Sequence, residues 1–119
     1  MTAEFSAKTK RLIYDRATPE HLHVPTCEAV VTPACTTVVT DIHHRKGRGK
    51  DPALSTAAAA CACCRMCHLY LEGHEALGTG WNIRKNGPEL PHEVPVAYRG
   101  GAMVYLHTDG STSPVEGAA

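Results

Sequence analysis

Three histidines, four cysteines and one basic run hold most of the chemistry this chain could do. His43 and His44 are adjacent in Asp41-Ile42-His43-His44, and His68 ends the sequence Cys64-Arg65-Met66-Cys67-His68. A divalent ion bound by neutral imidazoles needs ligands from separate rigid elements, with positions left open for water and a substrate oxygen. His43 and His68 can supply them. Adjacent strand residues point to opposite faces, so His43 and His44 are not expected to share an ion, and one imidazole is left for proton transfer near neutral pH. The following run, Arg45-Lys46-Gly47-Arg48-Gly49-Lys50, puts four cations among glycines that let backbone approach a phosphate closely. Together these parts suit metal-dependent hydrolysis of a phosphodiester, which needs an activated water, neutralised charge on phosphorus and a stabilised leaving oxygen.

The cysteines form a second unit. The first residues, Met1 to Lys8, contain no apolar leader, so the expected compartment is the reducing cytoplasm, where cysteines clustered beside histidine favour metal ligation over disulfides. Cys64-x2-Cys67 is a good half-site and Cys27-x7-Cys35 a wider one. Cys27, Cys35, Cys64 and Cys67 together would close a tetrahedral structural zinc site. Cys61 could replace Cys64, and Cys63 is a spare.

The elements that must position these groups follow from local pattern. Ser6 can cap a helix over 8–16 with Leu12 and Ile13 on its apolar side. Prolines at 19, 25 and 33 forbid regular structure and leave Cys27 and Cys35 on an irregular knuckle. Thr36 to His43, rich in β-branched residues, predicts a strand that delivers Asp41 and the histidines at its end. Gly47, Gly49 and Asp51-Pro52 impose a loop. Ala53 to Ala60 has helical propensity but little side-chain volume, and its state is left open. Cys64 to Leu77 predicts a second helix stopped by Gly78, with His68 and Glu72 on one face and His74 off that face unless the helix ends near Gly73. Val94-Pro95-Val96, Ala102 to Leu106 and the turn Asp109-Gly110 predict a C-terminal hairpin, with 113–119 frayed.

Composition narrows the class. At 119 residues the chain is one domain, 5% aromatic, with a limited core that a structural metal would supplement. A net charge of zero excludes coating nucleic acid by bulk charge. No stretch approaches the roughly 18 apolar residues of a membrane span, so no membrane partner is expected. His21, His23, His92 and His107 read as ordinary core or surface residues.

Thr40 to Gly49, then Cys67-His68-Leu69-Tyr70-Leu71-Glu72-Gly73-His74, then Gly80-Trp81-Asn82-Ile83, resembles the HNH endonucleases carried by bacteriophages of actinobacteria. The resemblance runs from Phe5 to Asp109-Gly110. It implies an α+β fold built on a ββα-metal (His-Me finger) core over 27–84, preceded by an N-terminal helix and loop over 1–26 and followed by a C-terminal hairpin and tail over 85–119. By position it implies His43, His68 and His74 as ligands of a divalent ion (Mg²⁺, Mn²⁺, Ni²⁺ or Zn²⁺), with Glu72 as the alternative to His74. His44 would be the general base, and Arg45, Lys46, Arg48 and Lys50 the contacts to DNA phosphates. The family's genomic habit implies a place beside a terminase in phage DNA packaging, in the cytoplasm of a bacterial host. The chain departs from the family in one place: the segment expected to supply the bracing asparagine, 54–61, contains none, and Thr56 or Ala59 stands there. Thr56 could make one of the two hydrogen bonds of a planar amide. The rival expectations are a zinc-stabilised DNA-binding module without turnover and a purely structural zinc knuckle.

Overall fold

The computed structural model describes residues 5–47, 51–73, 77–85 and 87–115. The expectations placed on Arg48, Lys50 and His74 lie outside the described residues. Two helices and two small antiparallel sheets make a mixed α+β fold. Helix α1 (Ala7–Ala17) starts where the Ser6 hydroxyl accepts from the Thr9 N–H at 3.1 Å, and it buries Ile13 and Ala17. Strands β1 (Asp41–His44) and β2 (Ala60–Cys63) pair antiparallel, with His43 opposite Cys61 and His44 opposite Ala60. Helix α2 (Arg65–Gly73) follows β2 after a single residue. Strands β3 (Val96–Ala97), β4 (Met103–Leu106) and β5 (Thr112–Pro114) form the second sheet, so Ser113-Pro114 is paired rather than frayed. Among the described residues no helix is long and apolar enough to cross a membrane.

The first strand is shorter than its β-branched run predicts. Its partner offers only four residues, and upstream the chain turns away: Thr37 takes a left-handed φ of 65° and its carbonyl accepts from the Cys27 N–H. Sequence propensity yields here to the cysteine knuckle, which needs that backbone.

The alanine-rich segment is two short 3-10 turns (Pro52–Ser55 and Ala57–Ala59) that lead into β2, and Ala57 to Ala60 are at most 2% exposed. Their small size has a use. The Arg16 guanidinium reaches the Ala57 and Ala60 carbonyls at 2.8 and 2.9 Å, and that of Arg45 reaches the Ala58 carbonyl at 2.6 Å. Longer side chains would fill the space the two guanidinium groups cross. Arg16 also forks onto Glu28, at 2.7 and 2.8 Å. That fully buried carboxylate accepts in addition from the Tyr98 hydroxyl and the Ala62 N–H. Burial is the largest influence on Arg16 and works against its charge, but the contacts with Glu28 win and raise its pKa. One carboxylate thus ties α1, the knuckle, β2 and the C-terminal sheet together, with every oxygen satisfied.

Two apolar clusters lie on either side of β1 and β2. Ile42, Ala60 and Ala62 pack with Phe5 and Ile13 on the α1 side. Cys61 and Cys63 pack with Trp81, Leu71, Val96 and Leu106 on the other. The period-two alternation of a strand therefore sorts the candidate site residues as well.

Candidate functional site

Cys27 and Cys35 come from the knuckle, Cys64 from the residue between β2 and α2, and Cys67 from the first turn of α2. Their four Sγ atoms all lie within 4.8 Å of one another. Thiolates about 2.3 Å from a zinc ion sit at tetrahedron corners about 3.8 Å apart, and the Cys35–Cys64 Sγ distance is 3.8 Å. Cys27, Cys64 and Cys67 are buried and Cys35 half-buried. For Cys64, burial, which would raise its pKa, is outweighed by N–H groups that donate to the sulfur, Cys67 at 3.3 Å and Thr36, and the thiol is brought down to about 6. A sulfur that accepts amide hydrogens at the start of a helix is ready to be a thiolate ligand. Burial raises the pKa of Cys27 and Cys67, so these two thiols need a nearby cation to ionise. The group fits a metal ion, compatible with structural zinc, and it is the set read from spacing. Cys61 is fully buried with its pKa pushed well up by burial, and neither it nor Cys63 joins the cluster.

On the same side of β1, Asp41 and His43 face α2. The His68 ring edges toward His43 with centroids 5.4 Å apart. His68 Nδ1 lies 2.6 Å from Asp41 Oδ2. A carboxylate only accepts, so Nδ1 carries the hydrogen and the lone pair of the neutral ring is on Nε2. Nε2 in turn stands 3.6 Å from Glu72 Oε1, one helical turn on. Two ligand atoms each about 2.1 Å from one ion are separated by roughly 3 to 3.6 Å, so this pair is spaced for a shared cation. Asp41 is held near pH 2: burial raises its pKa, but hydrogen bonds from Arg65 and His68 lower it further. The Arg65 guanidinium donates to the same carboxylate at 2.8 and 3.2 Å.

His43 is 7% exposed, and burial lowers its pKa, so it is neutral at physiological pH. Its Nε2 is 2.7 Å from Asn82 Oδ1 and 3.1 Å from the Trp81 carbonyl. Both residues are placed by Gly80, whose φ is 78° and whose Cβ, if it had one, would fall 1.9 Å from the Pro95 carbonyl oxygen. Only glycine fits there.

His44 lies on the opposite face of β1, half-buried, its ring stacked on Phe5 with centroids 4.4 Å apart. Thr56 donates to the Ala53 carbonyl within its own turn.

Two of the expected phosphate contacts are corrected. Arg45 is 1% exposed and donates five hydrogen bonds to the carbonyls of Ala58, Gly80, Pro91 and Val94. Lys46, 8% exposed, donates to the Gly87 and Glu89 carbonyls. All five N–H donors of Arg45 are used, and the Lys46 ammonium spends two of its three on these carbonyls. Alternation held the signal for Arg45, since Asp41, His43 and Arg45 share one period-two face. Exposed cations do flank the site: Arg65 at the start of α2, and Arg84 and Lys85 just after Asn82-Ile83, with the Lys85 stem beside Gly47. Asp41 and Asn82 are the site residues that spacing alone did not pick out.

No protein-family model, curated protein or solved structure matches the chain.

Proposed function

We propose that the protein is a metal-dependent endonuclease of the HNH type, with DNA as substrate. The observation that carries this reading is the grouping of Asp41, His43, His68 and Glu72 between a two-stranded antiparallel sheet and the helix that follows it, in a fold whose four clustered cysteines are placed to hold a metal ion. His43, His68 and Glu72 would hold a divalent ion. Asp41 keeps the His68 lone pair on Nε2, as a carboxylate behind a ligating histidine does. The ion would supply Lewis-acid neutralisation of charge on the phosphoryl oxygens and leaving group. His44, held flat by Phe5 at the end of β1, takes a proton from water as the water oxygen bonds to phosphorus. The phosphorus–oxygen ester bond then breaks, and the leaving oxygen takes up a proton from solvent. With Arg45 and Lys46 held in the interior, the exposed Arg65, Arg84 and Lys85 would meet the phosphates, and such contacts give affinity without reading sequence.

Supercoiled plasmid incubated with the purified protein tests this. Nicked or linear product is expected with Mg²⁺, Mn²⁺ or Ni²⁺ and none with EDTA. A folded protein that retains its cysteine-bound metal and yields no product with any of these ions is the result that would favour a zinc-stabilised binding module instead. The absence of asparagine from 54–61 supports that second reading.

A further inference from the structure

The environment of His43 decides which of its two nitrogens can act. Asn82 Nδ2 lies 2.6 Å from the Leu71 carbonyl oxygen, which can only accept, so the amide nitrogen must face Leu71 and the amide oxygen must face His43. The atoms opposite His43 Nε2 are then two acceptors, Asn82 Oδ1 at 2.7 Å and the Trp81 carbonyl oxygen at 3.1 Å. Only an N–H can satisfy both. The reversed tautomer would set a nitrogen lone pair against two oxygens at hydrogen-bond distance in a site 7% exposed, where an unsatisfied acceptor cannot turn to water.

We infer that Asn82 is the positioning residue of His43: its amide, anchored on the Leu71 carbonyl at one end, fixes the imidazole as the Nε2–H tautomer and makes Nδ1 the nitrogen offered to a divalent ion. This rests on the reading of His43 as a ligand. It also gives the chain a planar amide that braces an active-site histidine, although 54–61 contains none and Thr56 is turned to its own backbone. Asn82 does this from the other end of the fold, beyond α2. Because Leu71 is in α2, the same amide couples the orientation of His43 on β1 to the helix that carries His68 and Glu72.

The test is long-range ¹H–¹⁵N correlation spectroscopy of the histidine-labelled protein as purified, with no added divalent ion, read beside calorimetric titration with Ni²⁺. In wild type the His43 ring should show one tautomer with the proton on Nε2. A proton on Nδ1, or an even mixture, would overturn the inference whether or not the protein cuts DNA. In Asn82→Leu the His43 pattern should move toward a mixture while the His68 pattern, set by Asp41, stays unchanged. Ni²⁺ affinity should fall at least about tenfold, the usual cost of losing a hydrogen bond behind a ligating histidine. Asn82→Asp, which keeps an acceptor toward Nε2, should retain the wild-type tautomer. Unchanged tautomer and unchanged Ni²⁺ affinity in Asn82→Leu would also overturn the assignment. If Asn82→Leu does not fold, the wild-type spectrum still decides. A fixed Nε2–H tautomer in a protein that never cleaves DNA would leave the Asn82 assignment standing and remove only the nuclease reading.

Discussion

Replacing Cys67 with serine should abolish the cooperative unfolding transition of this protein. Cys27 and Cys35 sit on backbone with no regular structure: Val30 and Thr37 are in left-handed conformations, and few ladder hydrogen bonds hold the segment. A metal ion held by the four sulfurs would cross-link this knuckle to α2. A serine hydroxyl is a poor ligand for a soft site. Without the ion, the Cys27 thiol, whose pKa burial raises, is also left against Cys35 and Cys64 with no cation to favour its thiolate. Apparent binding free energies for structural zinc in small domains are on the order of 10 kcal/mol, comparable to the whole stability of a domain this size. Chelation of the wild type should have the same effect as the substitution. Circular dichroism melting with metal analysis on the same sample checks it. A Cys67→Ser protein that melts like wild type would show that the four cysteines do not hold the fold.

The second large effect is expected at Arg45, and it is a loss of stability. Arg45→Met would strip the guanidinium donors from the carbonyls of Ala58, Gly80 and Val94, leave Pro91 with only the Val94 N–H at 3.4 Å, and remove the guanidinium from beside the Trp81 ring, 5.8 Å from its centroid. Burial already presses on this group, which is lowered to about 10, and no carboxylate bonds it directly, so its hydrogen bonds to carbonyls are what keep it in place. Each orphaned buried carbonyl costs about 1–3 kcal/mol, and the methionine stem recovers part of the packing, so a net loss of about 4 kcal/mol is expected. Denaturant unfolding measures this. An Arg45→Met protein of wild-type stability that binds DNA less well would restore Arg45 to the phosphate-contact role its neighbours in sequence suggested.

The contrast between Arg45 and the histidines shows what the chain makes legible. Strand alternation separates His43 from His44, and the two rings point to opposite faces, one toward His68 and the other onto Phe5. The four-cysteine set followed from ligand chemistry alone and is the set that converges. Local pattern misplaces Arg45 because a cation beside glycines is normally solvated. Its burial depends on carbonyls from residues 80 to 94, distant in sequence and invisible to local pattern. The alanine segment carries no periodic signal because its small residues pack into both apolar clusters while two guanidinium groups reach their carbonyls. Asn82 was legible only as part of a motif. Its partners, His43 and Leu71, lie on two different elements, and only tertiary packing brings them to the same amide.

Under the proposed function His43 and His68 hold the divalent ion needed for DNA cleavage. Plasmid cleavage with Ni²⁺ by wild type, His43→Ala and His68→Ala, each analysed for cysteine-bound metal, separates this from the alternatives. Wild type should nick the plasmid, and both variants should lose at least about a hundredfold in rate. Cleavage at the wild-type rate by a folded His68→Ala protein would contradict this reading.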